Sequence, residues 1–114
     1  METMKIYQKW EDMTIYLYTA IRQYPKSERF TLAANTIQAA ITAGTAITRA
    51  TAIPSEAAKR REIDKADEAL AELKILVRIG MKLEFLPIKR YEILSGQLTE
   101  IGKMVGGWIR SIKK

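Results

Sequence analysis

Lys74, Arg78 and Lys82 recur every four residues with no acid between them, and Lys89, Lys103 and Arg110 fall at multiples of seven, so each trio shares one face of a helix. Cations in such a row can hold the phosphates of a nucleic-acid backbone. Lys59, Arg60 and Arg61 form a third cluster within the first two turns of a predicted helix, where the macrodipole disfavours positive charge and where Arg60 can pair with Asp64 at i+4. The acids offer less. Asp64, Glu68 and Glu72 share a face at i+4 spacing, but the chain has no histidine to complete a Glu-x-x-His set, so a solvated or salt-bridged face is expected and no metal or other cofactor. The absence of both histidine and cysteine removes disulfides, thiolate nucleophiles and the Ser/His/Asp and Cys/His arrangements. The expectation is a protein without catalytic activity.

At 114 residues the chain suits one domain, and 47% hydrophobic with 28% charged residues is the composition of a globular protein. Its net charge of +6 favours an acidic partner. That excess is uneven: residues 25–53 carry +2 and residues 87–114 carry +4, while the two remaining segments balance. Lys26 and Arg29 therefore join the candidates for phosphate or partner contact, with Arg49 after them. A basic run is ordinarily a solvated face, but three clusters and a net excess together point to nucleic acid. No window is apolar for the 18 or so residues of a membrane span, and METMKIYQKWEDM lacks the order of a signal peptide, so a cytoplasmic location without membrane association is expected.

Four helices must position these residues. Ile6, Trp10, Met13, Leu17, Ala20, Ile21 and Tyr24 recur at threes and fours over about 3–24, until Pro25 ends the run. A second helix, about 27–51, is read from a Ser27 cap and an inner face of Phe30, Ala33, Ala34, Ile37, Ala40, Ile41, Gly44 and Ile47. The third spans about 55–85, capped by Ser55, with Ile63, Ala66, Leu70, Leu73, Val77 and Gly80 inward and Leu83 widening that face. Tyr91, Leu94, Leu98, Ile101, Val105, Trp108 and Ile112 carry a fourth over about 88–112. Short connections between helices of similar length give an all-α, antiparallel up-down-up-down four-helix bundle as the expected fold, in one domain over 1–114. Trp10, Tyr24, Tyr91 and Trp108 lie on the core stripe, whereas Tyr7 and Tyr18 lie off it and are open to stacking on bases.

Gly102, Gly106 and Gly107 sit inside this fourth helix, where each costs about 1 kcal/mol relative to alanine and the three cost roughly 3 kcal/mol. Ser95, Thr99, Gly102 and Gly106 make a column of small residues on the flank of the apolar stripe, next to Trp108. Such a column permits close approach of another helix, from the same bundle or from a neighbouring subunit. Lys103 and Arg110 are expected on the opposite side of the same turns, with Lys113 and Lys114 extending their stripe.

The string EIGKMVGGWIR, Glu100 to Arg110, resembles the C-terminal signature of the accessory variability determinant (Avd) proteins of diversity-generating retroelements. YPKSERFTL at Tyr24 to Leu32 is similar to the start of that family's second helix, and LKILVRIGMKLEFL at Leu73 to Leu86 to its third, with Arg78 at the basic position and Tyr91 following. A broader resemblance is to the four-helix family encoded in intervening sequences of bacterial 23S ribosomal RNA genes. This chain has Ala46, Ile47, Thr48 and Arg49 where that family carries Asn-Ile-Ala-Glu-Gly, which favours the retroelement proteins. The Avd resemblance implies a homopentameric four-helix bundle that binds a reverse transcriptase and template-repeat RNA, with DNA a further candidate. It implies an accessory role in mutagenic cDNA synthesis and retrohoming, the polymerisation belonging to the partner. The competing expectation is an oligomeric adaptor whose positive charge serves solubility and which does not touch nucleic acid directly.

Overall fold

A computed structural model describes residues 3–112 of the chain. Four helices follow in order, α1 (Thr3–Ile21), α2 (Leu32–Ala52), α3 (Glu56–Lys82) and α4 (Ile88–Ser111), and one 3₁₀ turn, Lys26–Glu28, lies between α1 and α2. α1 packs on α2 and α4, α2 on α3 and α3 on α4, closing the expected up-down-up-down bundle. Its long dimension of 43 Å is set by α3, whose 27 residues at 1.5 Å each span about 40 Å.

The core is the apolar stripe of each helix. Ile6, Met13 and Leu17 of α1 meet Ile47 of α2, Ile63, Leu73 and Val77 of α3, and Leu94, Leu98, Ile101 and Val105 of α4, all buried. Tyr24 and Trp108 are buried as expected, while Trp10 and Tyr91 are partly buried at its edge. Trp108 is thus a core residue and does not line the small-residue groove.

Helix ends depart from the periodicity at two corners. α1 stops at Ile21, and Arg22, Gln23 and Tyr24 donate to the carbonyls three residues before them in a tightened last turn. α2 starts at Leu32 instead of Ser27: the Glu28 carboxylate accepts from Thr31 Oγ1 at 2.8 Å and from the Leu32 amide at 3.4 Å, and so caps the helix one turn later. Phe30, expected in the core, consequently lies outside the helix and is 84% exposed. α3 ends at Lys82 because Glu84 turns left-handed at φ 66°, with Phe85 N–H donating to Gly80 O and Glu84 N–H to Met81 O. Leu83 falls at that break and is exposed. Ser55 does cap α3, accepting from the Ala58 amide at 3.3 Å.

Two glycines permit the closest approaches. A methyl group at Gly44 would overlap the indole of Trp10, whose Nε1–H donates to the Ala40 carbonyl at 2.8 Å, so α1 is seated on α2 by a ring over bare backbone. A methyl at Gly80 would overlap the Tyr24 hydroxyl, and the Tyr24 ring lies 5.7 Å from that of Phe85. This second contact ties the α1–α2 corner to the α3–α4 corner at one end of the bundle. Periodicity placed both glycines on inner faces without indicating that each faces an aromatic ring.

Two outcomes follow from these contacts. Gly44→Ala should lose about 1–3 kcal/mol of unfolding free energy in urea titrations, because a rigid indole must move, whereas Gly102→Ala, with open space around it, should gain about 1 kcal/mol from helix propensity. The Tyr24 hydroxyl has no hydrogen-bond partner among the described residues, and burial raises its pKa above the ordinary 10.0. The fold therefore favours the neutral phenol: this contribution is complete below the unfolded pKa of about 10 and is lost as pH rises through the higher folded value. Tyr24→Phe should hold its stability above about pH 10 better than the wild-type chain in pH-dependent melts.

Candidate nucleic-acid interface

The turn of α3 that buries Leu73 and Val77 directs Lys74 and Arg78 towards the flank of α4. There they wall a groove of about 250 Å³ whose α4 side is Ser95 and Thr99, closed at its base by Tyr91 and Leu98. No acid lines it. The small-residue column continues along the same flank, since the Lys74 Nζ lies 4.0 Å from where a Cβ of Gly102 would stand. The serine, the threonine and two glycines thus leave α4 low beside the cations of α3.

Gly102, Gly106 and Gly107 do not receive another helix of their own bundle. Around Gly106 and Gly107 the near atoms are those of the Arg110 guanidinium, at 3.5 and 3.8 Å from the would-be Cβ positions. The expectation that Arg110 projects from the opposite side is corrected here. A step of four residues advances only about 40° around a helix, so Arg110 folds back over Gly106. The missing side chains make room for a cation, and the column is bordered by Lys74 at one point and Arg110 at another.

Four of the other candidates gather at one end of the bundle. Lys82 and Lys89 are exposed on either side of the α3–α4 turn. Lys89 lies in the first turn of α4, which has no acid and no side-chain cap, so the helix dipole opposes its charge and favours an external anion. Lys26 and Arg29 sit on the 3₁₀ turn and just after it, at the same end of the bundle, and Lys103 is exposed on α4. Among the described residues the ion pairs are Lys9–Glu100 at 3.2 Å, Arg60–Asp64 at 3.1 Å and Lys65–Glu62 at 3.3 Å, so none of the eight candidate cations is paired. Arg60 is engaged by Asp64 as its spacing indicated. Arg90 is likewise occupied, 5.6 Å above the Tyr16 ring. Lys113 and Lys114 lie outside the described residues.

Beyond the cations on α3 runs a ridge that the charge pattern did not reveal. Ile75, Ile79 and Leu83 are 61%, 41% and 53% exposed, one helical row outward from Lys74, Arg78 and Lys82. Periodicity places only Leu83 on the edge of the core stripe, and Ile75 and Ile79 fall on the outer side of α3. No helix among the described residues is long and apolar enough to cross a membrane.

A family model described as bAvd-like matches residues 4–112. The fold is similar to that of a crystallised protein of unknown function from the S23 ribosomal protein family of Bacteroides thetaiotaomicron, with a TM-score of 0.87 at 16% identity over 96% of this chain and 99% of that one. No curated protein matches the sequence.

A Cβ at Gly106 would meet only the Arg110 guanidinium, at ordinary van der Waals distance. Gly106→Leu should therefore keep the helical circular dichroism of the wild-type chain and melt at the same or a higher temperature, the reverse of what an intrachain packing groove requires.

Proposed function

Because the chain belongs to the bAvd-like family, we propose that it is a non-catalytic accessory protein of a diversity-generating retroelement, binding template-repeat RNA through the α3–α4 groove while contacting the reverse transcriptase. The observation that carries the RNA assignment is the acid-free groove in which Lys74 and Arg78 stand over Ser95 and Thr99. Lysine and arginine supply charge for phosphates, the two hydroxyls supply short donors, and the glycines beyond them let a backbone approach α4 closely. Lys82 and Lys89 extend the positive surface around the corner, and Lys103 and Arg110 extend it along α4. DNA carries the same phosphates and is a second ligand for this surface.

The row of Ile75, Ile79 and Leu83 supports a protein contact beside the nucleic acid, since three large apolar side chains in one exposed row gain from burial. A neighbouring subunit is the partner proposed for it, in the homopentamer that the resemblance implies. The small-residue column is then left to the RNA, because its borders, Lys74 and Arg110, suit an anion better than a helix. The same apolar row also favours the adaptor reading, in which the chain recruits the polymerase by protein contact alone.

Arg78→Gln together with Lys82→Gln should weaken binding of a labelled template-repeat RNA and reduce the slope of log K against log salt by roughly 0.7 to 1.4, at about 0.7 per lost phosphate contact on a single strand, with helicity retained. Fluorescence anisotropy between 50 and 200 mM salt reads both quantities. Unchanged affinity and slope, with the polymerase still retained after nuclease digestion, favours the adaptor.

A further inference from the structure

A cleft of about 600 Å³, larger than the α3–α4 groove, lies at the corner between α1 and α2. This is within the roughly 300–1,000 Å³ of small-ligand sites. One wall is the end of α1, Tyr18 and Ile21, continued by Arg22 in the turn that follows it; the other is α2, where Ala33, Ala34 and Ile37 face them. The alanines leave the space open. Pro25 opens the 3₁₀ turn that follows α1, which brings Lys26 and Arg29 to the rim beside Arg22.

Three features make this corner more than a packing gap. Its lining has three cations and no acid, and the Glu28 carboxylate is engaged in capping α2 through Thr31 and Leu32. Tyr18 is 50% exposed and presents a ring with no aromatic partner among the described residues. Gln38 adds an amide, donor and acceptor both, to otherwise apolar walls. An apolar slot with one exposed ring, one amide and a cationic rim matches a planar, hydrogen-bonding group attached to a phosphate.

We propose that this cleft receives one unstacked nucleotide of a single-stranded RNA, its base against Tyr18 and between Ile21 and Ile37, its phosphate held by Arg22, Lys26 and Arg29. The proposal rests on the RNA-binding reading above and adds to it a preference for single strands. Bases within a duplex are paired and stacked and cannot enter, so the cleft discriminates where a row of lysines does not. Gln38 can read a base edge, while stacking tolerates any base. Sequence preference is therefore expected to be weak.

The test compares full-length wild-type chain with Tyr18→Leu, Tyr18→Phe and the double variant Lys26→Gln, Arg29→Gln, using a fluorescein-labelled mixed-sequence 12-nucleotide RNA and a blunt RNA duplex of the same length, read by anisotropy. Wild type should prefer the single strand. Tyr18→Leu should lose about tenfold on the single strand, the scale of one base–aromatic stack, and little on the duplex, while Tyr18→Phe binds as wild type. The double variant should lose affinity and salt slope on the single strand. Tyr18 is half exposed, so equal melting temperatures check that the fold is kept. Wild-type affinity in Tyr18→Leu, or an equal loss on single strand and duplex, overturns the cleft assignment and leaves the α3–α4 groove standing. Absence of binding to either RNA by the wild-type chain removes the RNA reading itself, and the cleft with it.

Discussion

The Trp10 indole occupies the space that any side chain at residue 44 would need, and its N–H is anchored on the Ala40 carbonyl one turn earlier on α2. Just beyond the C-terminal end of α1, the Tyr24 hydroxyl likewise fills the space beside Gly80 of α3. These two ring-on-backbone contacts set where α1 lies, because a helix held at its middle and just past its C-terminal end against bare backbone has little freedom to shift or rotate. α2 complements them with a buried face made almost wholly of alanine, glycine and one threonine, whose Thr36 hydroxyl is satisfied by the Leu32 carbonyl at 2.7 Å. The larger side chains of α3 then fill the space that α2 leaves. Both surfaces argued to bind ligand follow from this arrangement: alanines on α2 open the cleft under Tyr18, and the low flank of α4 opens the groove beside Lys74.

Glycine thus has two opposite uses in one chain. Gly44 and Gly80 are enclosed, and a methyl group there meets an aromatic ring. Gly102 and Gly106 are open, and nothing in the bundle requires their lack of a side chain. A residue that lowers helix stability without serving its own fold points outward, to whatever must approach the backbone closely. The cations at its border, Lys74 and Arg110, give that approach a sign.

Much of the architecture was legible because it depends on period alone. The heptad run from Tyr91 to Ile112 and the cap at Ser55 read directly into α4 and the start of α3. What failed depends on contacts made across the chain. Phe30 has the spacing of a core residue, but Glu28 delays α2 by a turn and leaves the ring outside. Leu83 fails for a related reason, since Glu84 takes a left-handed conformation that ordinarily belongs to glycine. At the site, the charge rows were readable as faces of helices. That Lys74 and Arg78 share a groove with Ser95 and Thr99 was not readable, since the two helices' rotations about their axes are set by the core. Arg22 escaped notice because its neighbours in the cleft come from a turn and another helix.

The chain belongs to the bAvd-like family, and the acid-free groove beside Lys74 and Arg78 is the surface proposed for RNA. Cross-linking examines that link most directly. The full-length chain is bound to template-repeat RNA carrying 4-thiouridine, irradiated, digested and mapped by mass spectrometry. The account requires cross-linked peptides from the stretches holding Lys74 to Lys82 and Gly102 to Arg110. Bound RNA whose cross-links avoid both stretches would contradict it.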